Sequence, residues 1–577
     1  MEELYAPGEP LRHVDLFADL DAGVRAKVVA GAAIVELPAG GWLFRQGDPG
    51  DTMYVVLAGR LEILRESPQP TVLRIASAGE AVGELALLND TARSASVRAR
   101  RDSRLLCISR ERFTALLAEQ PSFARALIRT LGALLQESRA LTPEPTPLPA
   151  TIAVLPVRPG LPAAELAVEL AALLGPGTAL LSEPSEAPGE QLDHAERDSE
   201  RVLLVSSAPP GADPWADFCL RQGDRVLLVA EDEPRPGIEV GEAMSRREVL
   251  LAGSARPGRL AAWLDHLEAA SGRLVGPRSS WSRTLRPLAR SLTGRSTALV
   301  LSGGRARGLA HIGVLDALLD AGVEIDRVGG CSMGALIGSQ FAMGLGPDEI
   351  RNNCRAELVE RNPLGDYTLP LVSLVRGMRA KAMVQRLFGE RLVEELQREF
   401  SCVSCDLVTS ELVLHRRGRL YEAVGASFCL PAIGPPVMLD GAMLVDGGVL
   451  NNLPVESFAD SGEGVVIASD VTSQFQVTRR SRAAAGRARA RFRETVLGLG
   501  HDVPLRLPEI VVRTITLGSI DTVEASQRHA DLVIRPAVGD VGMVGFERMD
   551  DLRRAGREAA RATLDANPEL AFALTAG

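Results

Sequence analysis

Two stretches near the middle of the chain carry residue types suited to acyl transfer. The first reads Ser302-Gly303-Gly304-Arg305-Ala306-Arg307-Gly308 and the second Gly330-Cys331-Ser332-Met333-Gly334. Each follows a strand-like apolar run, Ala298 to Leu301 and Arg327 to Gly329, and each precedes helix-like sequence. A Gly-rich strand-to-helix loop presents bare backbone N–H groups at a helix N-terminus, which suits a developing oxyanion. In a G-x-S-x-G turn the small neighbours, here Gly330 and Gly334, let a serine sit on a strained elbow with its hydroxyl exposed. Nucleotide readings of the Gly-rich loop fail on spacing. Gly303 to Gly308 is followed by Leu309 and Ala310 rather than Lys and Ser/Thr, and Asp326 precedes the next strand instead of ending it. Attack of Ser332 on an ester or thioester carbonyl is the reaction the two stretches serve together.

The proton of such a serine needs an acceptor. Asp446-Gly447-Gly448 follows the short apolar run Met443-Leu444-Val445 and precedes Asn451-Asn452-Leu453-Pro454. An aspartate at a strand end, followed by two glycines, can point its carboxylate into a crowded site. In contact with Ser332 it would take the hydroxyl proton, provided burial raises its pKa toward neutrality. Asp440-Gly441-Ala442 shows the plainer use of Asp-Gly in this chain, a turn. A histidine-dependent triad stands beside the two-residue arrangement, because Ser332, Asp446 and then His501 or His529 follow the order of an α/β-hydrolase. His311, on the helix expected after the Gly-rich loop, suits packing or a local hydrogen bond.

Taken together, Ser302 to Leu315, the Ser332 elbow, Ala426-Ser427 with Pro431 and Pro435-Pro436, and Asp446-Gly447-Gly448 resemble the patatin-like phospholipase family. The closer resemblance is to its neuropathy target esterase branch, over roughly residues 297 to 545. It implies a three-layer α/β/α domain acting on lysophospholipids or phospholipids, with Ser332 as nucleophile and Asp446 as its base without histidine. It further implies an oxyanion hole from the backbone of Gly303, Gly304 and Arg305, with Arg307 and Gly308 supporting the loop. The family's loop reads as four glycines before Ala-Arg-Gly; here Ser302 and Arg305 replace the outer two. If position 305 needs φ > 0, a side chain there costs about 1–2 kcal/mol, which bears on turnover. A scaffold or nucleotide sensor with a weakened hydrolase domain is the alternative that Arg305 raises.

A second set of residues lies near the N-terminus. Between about 12 and 115, strand-like runs (Trp42-Leu43-Phe44, Met53 to Leu57, Arg60 to Leu64, Val72 to Ile75) alternate with Gly and Asp turns, and helices are expected near 110 to 138. This is the pattern of a small antiparallel β-roll. Inside it lie Gly83-Glu84-Leu85-Ala86-Leu87-Leu88 and Arg93-Ser94-Ala95-Ser96. With Gly40, Gly47-Asp48, Asp51 and Gly59 at turns, the segment resembles cyclic nucleotide-binding domains. The resemblance implies a site of Gly83, Glu84, Leu85, Ala86, Arg93 and Ser94, with Glu84 accepting from a ribose 2′-hydroxyl. Arg93 would pair with the cyclic phosphate, a charge-assisted contact. cAMP or cGMP would then be a regulatory ligand, while the ester chemistry requires no cofactor and no metal. A docking module that binds no nucleotide is the other reading, and Ala92 stands where a proline often precedes the arginine.

These sites call for a multidomain α/β chain: a cyclic nucleotide-binding-like β-roll over 1–141, a Rossmann-like α/β spacer over 151–272 and a patatin-like esterase domain with a helical tail over 297–577. The Pro-rich Thr142 to Pro149, within a linker of 142–150, is semi-rigid. The spacer rests on buried strand-like runs at Thr151 to Val157, Val202 to Ser206, Val226 to Ala230 and Val249 to Ala252, with a crossover helix near 163 to 174. The remaining 273–296 reads as a basic linker. The chain has 577 residues and a net charge of −10, which excludes a general nucleic-acid binder. Seven cysteines without a framework, Cys402-Val403-Ser404-Cys405 among them, fit a reducing, cytoplasmic interior. No signal peptide and no apolar run of ~18 residues is expected. Contact with the inner membrane surface would fall to two basic segments. Arg278, Arg283, Arg286, Arg290 and Arg295 are interleaved with Trp281, Leu285, Leu288 and Leu292. Arg479, Arg480, Arg482, Arg487, Arg489, Arg491 and Arg493 accompany Phe492.

Overall fold

Alternating apolar residues between Thr52 and Ser109 fold as antiparallel strands in the computed structural model of this chain. It describes Phe17 and residues 20–29, 32–66, 71–129, 148–234, 240, 246–253, 256–369, 372–459, 461–472, 519–539, 541 and 545–575. In chain order come β1 (Ala33–Leu37), β2 (Trp42–Phe44), β3 (Thr52–Arg65), β4 (Thr71–Ser77), β5 (Ala81–Val82) and β6 (Ser96–Ser109). The sheet runs β1-β6-β3-β4, with β2 added on β6 and β5 on β3. Val55, Val56, Leu61, Val97, Leu105 and Ile108 are buried within this roll. The turn expected at Gly59 is corrected: Gly59 lies inside β3 at φ 97°, where the pairing with β6 shifts register, and a Cβ there would sit 2.2 Å from Ser103 Oγ. It is a bulge, which bends a long strand without ending it.

Six strands follow: β7 (Thr151–Pro156), β8 (Thr178–Leu181), β9 (Arg201–Val205), β10 (Arg225–Ala230), β11 (Arg246–Ala252) and β12 (Ser271–Gly276). All pair in parallel, in the order β12-β11-β10-β7-β9-β8. β7 and β10 are buried throughout, as strands covered on both faces must be. The apolar-run reading misses β8, a four-residue strand at the sheet edge, and β12, which carries two glycines. β12 also carries this segment to Gly276, past the expected end at 272. The supposed basic linker continues into helices Trp281–Thr284 and Arg286–Leu292, where Trp281, Leu285, Leu288 and Leu292 are buried. Their apolar side chains are already spent on packing, so this segment is not the membrane-facing stripe its composition suggests. The second basic segment, 479–493, and His501 lie outside the described residues.

The third sheet is mixed. Its strands are β13 (Ser296–Leu301), β14 (Arg327–Gly330), β15 (Glu399–Asp406), β16 (Leu412–His415), β17 (Val437–Leu439), β18 (Ala442–Asp446), β19 (Gly464–Ser469) and β20 (Leu532–Ile534). They run β17-β18-β15-β14-β13-β19-β20, with β16 added on β15. β13, β14, β15, β19 and β20 are parallel, whereas β16, β17 and β18 are antiparallel to their partners. Along β13, Leu299 and Leu301 join one core while Ala298 and Val300 join another with Leu453, Val455 and Phe458. The period of two puts both faces of the sheet in an apolar layer, which is the three-layer α/β/α arrangement. On the larger core, helices Ala310–Asp320 and Met549–Ala566 cross at Gly313 and Gly556. A Cβ on Gly313 would lie 1.7 Å from the Arg553 carbonyl oxygen, and one on Gly556 1.9 Å from that of Ala310. The chain forms two compact units, one of Met1–Ala255 with Ala262–Arg286, the other of Arg256–Ala261 with Pro287–Gly577. Among the described residues no helix is long and apolar enough to cross a membrane.

Candidate active site

β14 ends at Gly330, and helix Met333–Ala342 begins after only Cys331 and Ser332, so the chain must reverse within those two residues. Ser332 absorbs the reversal at φ 53°, ψ −117°, a conformation that side chains rarely adopt. Gly330 and Gly334 are required here by space: added Cβ atoms would fall 2.7 Å from the Gly334 carbonyl carbon and 2.1 Å from the Leu301 carbonyl oxygen. The Ser332 N–H donates to Ser427 Oγ at 2.9 Å, fixing the elbow to the end of helix Leu420–Ser427.

Asp446 is the last residue of β18, and the Ser332 hydroxyl lies close enough to its carboxylate to favour the charged form. The same carboxylate accepts from the Gly448 N–H at 2.8 Å and from Cys331 Sγ at 3.4 Å. Ser332, Asp446 and Cys331 are all buried. Burial pushes the Asp446 carboxyl above its ordinary value, while the hydrogen bonds and the Arg305 guanidinium pull the other way. Burial likewise pushes the Cys331 thiol far up, so it stays a neutral donor. The plainer Asp-Gly is a turn: Asp440 and Gly441 take φ 49° and 84° in the two-residue loop between β17 and β18.

The Gly-rich loop is bolted down on several sides. Ser302 N–H donates to the Ser469 carbonyl at 3.0 Å, and Ser302 Oγ accepts from the Val471 N–H at 2.9 Å. His311 Nε2 lies 2.9 Å from the Ser302 carbonyl, which can only accept, so the ring proton is on Nε2. Nδ1 then accepts from Ser469 Oγ at 2.8 Å, and burial pushes this imidazole down to about 4, holding it neutral. Arg307 Nε donates to the Val541 carbonyl at 2.9 Å, and a Cβ on Gly308 would lie 2.4 Å from Met333 Cγ. Gly303 departs from its expected part in an oxyanion hole. Its N–H donates to the Asn452 carbonyl at 3.1 Å and its carbonyl accepts from Asn452 Nδ2 at 3.0 Å, so that amide is already spent. Gly304 N–H has no acceptor among the described residues. Arg305 follows it at φ 53°, the left-handed conformation that a glycine would take without cost.

Ser332 and Arg305 line a pocket of about 700 Å³. Its walls are largely apolar, with Leu364, Leu374, Val384, Phe428, Leu430 and Ile433, and three cations, Arg305, Arg376 and Lys381, share it with Glu422. Burial pushes the Arg305 guanidinium down to about 10, against the pull of the Asp446 carboxylate. Histidine is not beside Ser332 among the described residues. His311 is committed to Ser302 and Ser469, and His415 to Ser404 Oγ at 2.7 Å. His529 precedes β20, next to Asp531, whose N–H donates to the Val466 carbonyl early in β19. Ser332 follows the opposite, C-terminal end of the parallel strands, so His529 is separated from it by the length of the sheet. Ser427, His311 and Cys331 lie within the stretches that carry the family resemblance, and Asn452 just beyond Asp446-Gly447-Gly448, but nothing in those stretches says what each side chain supports.

On the β-roll, Gly83 at φ 84° opens helix Glu84–Asn89. A Cβ on Gly83 would lie 2.4 Å from Arg93 Nη1, which donates to the Gly83 carbonyl at 3.1 Å. Arg93 Nη2 donates to Thr52 Oγ1 at 3.0 Å, and the guanidinium lies 4.0 Å from the Phe44 ring centre. Glu84, Ala86 and Arg93 are buried, while Leu85 and Ser94 are exposed. Burial pushes the Glu84 carboxyl up and the Arg93 guanidinium down. Glu84 Oε2 and Arg93 Nε are buried without a hydrogen-bond partner among the described residues.

A family model for Patatin-like phospholipase matches residues 299–459, and one for the Cyclic nucleotide-binding domain matches residues 34–120. The chain is similar to an uncharacterized NTE family protein of Mycobacterium tuberculosis, 33% identical over 574 residues, covering 97% of either chain. It is also similar to Patatin-like phospholipase domain-containing protein 7 of Rattus norvegicus, 29% identical over 76% of this chain and 38% of the rat protein. Lysophospholipase nte1 of Aspergillus fumigatus is 27% identical over 90% of this chain and 41% of its own. With a one-third identity sustained along nearly all of its length, the chain belongs to the NTE family and carries a patatin-like phospholipase domain behind a cyclic nucleotide-binding domain.

Proposed function

We propose that the chain is a serine esterase that hydrolyses the acyl ester bonds of lysophospholipids or phospholipids through a Ser332–Asp446 dyad. The observation that carries the reading is the strained Ser332 elbow set beside the buried Asp446 carboxylate, to which the adjacent Cys331 thiol is hydrogen-bonded, at the wall of an apolar pocket. Asp446 takes the hydroxyl proton as Ser332 Oγ bonds to the acyl carbon. The amides of Gly304 and Arg305 hold the resulting oxyanion, a contribution on the order of 10²–10³ in rate for a single donor. The proton returns to the leaving alcohol, which departs and leaves an acyl-serine. Water then gives its proton to Asp446 and attacks the acyl carbon; the fatty acid is released and the proton returns to Ser332. The apolar walls suit an acyl chain, and Arg376 and Lys381 suit a phosphate near the entrance.

Fluorescent fluorophosphonate labelling tests the dyad first. Wild type is expected to label and Ser332→Ala not to, and Asp446→Asn is expected to lose at least on the order of 10³ in ester turnover. His529→Ala keeps its rate. A folded wild-type chain that refuses the label, or a His529→Ala variant that is folded and inactive, refutes the assignment.

Cyclic nucleotide binding at the β-roll is the regulatory half of the proposal. It is supported by the buried Glu84 Oε2 and Arg93 Nε, which need partners that a ribose hydroxyl and a cyclic phosphate would supply.

A further inference from the structure

The pocket opens through a rim of unusual exposure. Tyr367, Met378 and Met438 line it and yet are 75%, 66% and 63% exposed. Leu369 and Val372, 80% and 70% exposed, extend the same rim. Tyr367, Leu369 and Val372 are carried by a short hairpin: Tyr367 pairs with Val375 across an antiparallel bridge, and the Thr368 N–H donates to the Leu374 carbonyl at 3.0 Å. That hairpin is held in turn, since the Leu374 and Val375 N–H groups donate to the carbonyls of Ala432 and Ile433 at 3.0 and 2.9 Å. Large apolar side chains held outward on a fixed scaffold are a cost to a chain in water unless something covers them.

The charges beside the rim say what that is. Arg376, Arg379 and Lys381 are exposed and form no ion pair among the described residues. The acids nearby are engaged locally: Asp366 accepts from the Arg379 backbone N–H at 3.1 Å, and Glu422 accepts from the Tyr421 hydroxyl at 3.0 Å. Apolar side chains flanked by cations match the two layers of an anionic bilayer surface, acyl chains below and phosphates above. We propose that Tyr367, Leu369, Val372, Met378 and Met438, with Arg376, Arg379 and Lys381, form the face by which this chain docks on an anionic lipid membrane. An acyl chain then passes from bilayer to pocket without crossing water. The inference rests on the esterase reading, because the docked face is the mouth of the Ser332 pocket.

Flotation of the full chain with vesicles tests it, using phosphatidylcholine alone and phosphatidylcholine mixed with phosphatidylglycerol. Wild type is expected to float with the anionic vesicles, and to do so less at high salt. The double variant Leu369→Ser with Val372→Ser is expected to bind about tenfold or more weakly. Its hydrolysis of lysophospholipid embedded in those vesicles falls by a similar factor, while a short-chain ester in free solution is cleaved at the wild-type rate. Arg379→Glu weakens binding to anionic vesicles alone. Wild-type flotation by the double variant, or no flotation of the wild type, overturns the docking face. Failure of wild type to cleave the soluble ester would instead overturn the esterase reading, so the two are told apart.

Discussion

The backbones of Arg305 and Ser332 both sit at φ 53°, yet they relate differently to the chemistry. The strained turn at Ser332 holds its hydroxyl beside Asp446, whereas strain at Arg305 serves a side chain whose guanidinium lowers the pKa of that same carboxylate. Arg305→Gly relieves about 1–2 kcal/mol of backbone strain and loses part of it to the greater freedom of an unfolded glycine, leaving about 0.5–1 kcal/mol of net stabilisation. It also removes a cation, and a carboxylate without its cation holds a proton more tightly. The acid-side fall of kcat/KM, which marks protonation of Asp446, therefore moves to higher pH in Arg305→Gly than in wild type. A pH profile of soluble-ester turnover beside a melting curve checks both; a limb displaced to lower pH would contradict the charge assignment. Ser332 and Asp446 were legible because their turns are written locally, in Gly330 and Gly334 and in Gly447-Gly448. Their supports were not: His311 reaches Ser469 158 residues away, Asn452 reaches Gly303 across 149, and Ser332 reaches Ser427 across 95. Spacing that long leaves no local pattern.

Elements obey the same division between local and distant causes. β7, β10 and β13 declare themselves as apolar runs because both faces of their sheets are covered. β8 and β12 lie at sheet edges and carry fewer apolar residues, so they do not. Glycines inside helices are the harder case, since in sequence they read as liabilities of about 1 kcal/mol against alanine. Gly313 and Gly556 reverse that reading, for each sits where the backbone of the partner helix passes within 2 Å of a would-be Cβ. The crossing is secured beside them by Arg553, which donates to both oxygens of Asp316 at 2.5 and 2.8 Å. Gly556→Ala trades better helix propensity for a clash with backbone that cannot rotate away. Overpacking of this kind costs about 1–3 kcal/mol, occasionally more. Chemical denaturation is expected to show that loss, and an alanine variant as stable as wild type would mean the two helices do not meet at these positions.

At the scale of the molecule, the sequence separates a β-roll from a parallel sheet by a Pro-rich linker, which suggests bodies that fold apart. Instead they share a buried ionic contact within one unit. Arg101, in β6 and almost wholly buried, meets Glu196 at 2.8 Å and the Gln222 carbonyl at 3.2 Å. Arg60, in β3 of the roll, meets Asp224 at 3.1 Å, and Asp224 also accepts from the Ala150 and Thr151 N–H groups at 3.0 Å each. Charges whose partners lie 95 (Arg101 to Glu196) and 164 (Arg60 to Asp224) residues away leave no composition signal, so only the linker was visible. Their burial couples the two sheets, because removing Asp224 leaves the largely buried Arg60 without its carboxylate and the Ala150 and Thr151 N–H groups without their acceptor, a loss of about 3–5 kcal/mol. Asp224→Ala is therefore expected to lower one calorimetric transition, that of the unit holding both sheets, and to leave the transition of the esterase unit in place. A cyclic nucleotide that binds at Glu84 and Arg93 must act on the same transition in the opposite sense, by about 2.7 kcal/mol when present at 100 times its Kd. Arg93→Ala abolishes that rise, while Asp224→Ala lowers the transition and keeps the rise. If nucleotide and Asp224→Ala instead move separate transitions, the β-roll and the parallel sheet unfold independently, and a signal from the nucleotide would have to bypass the sheet beside it.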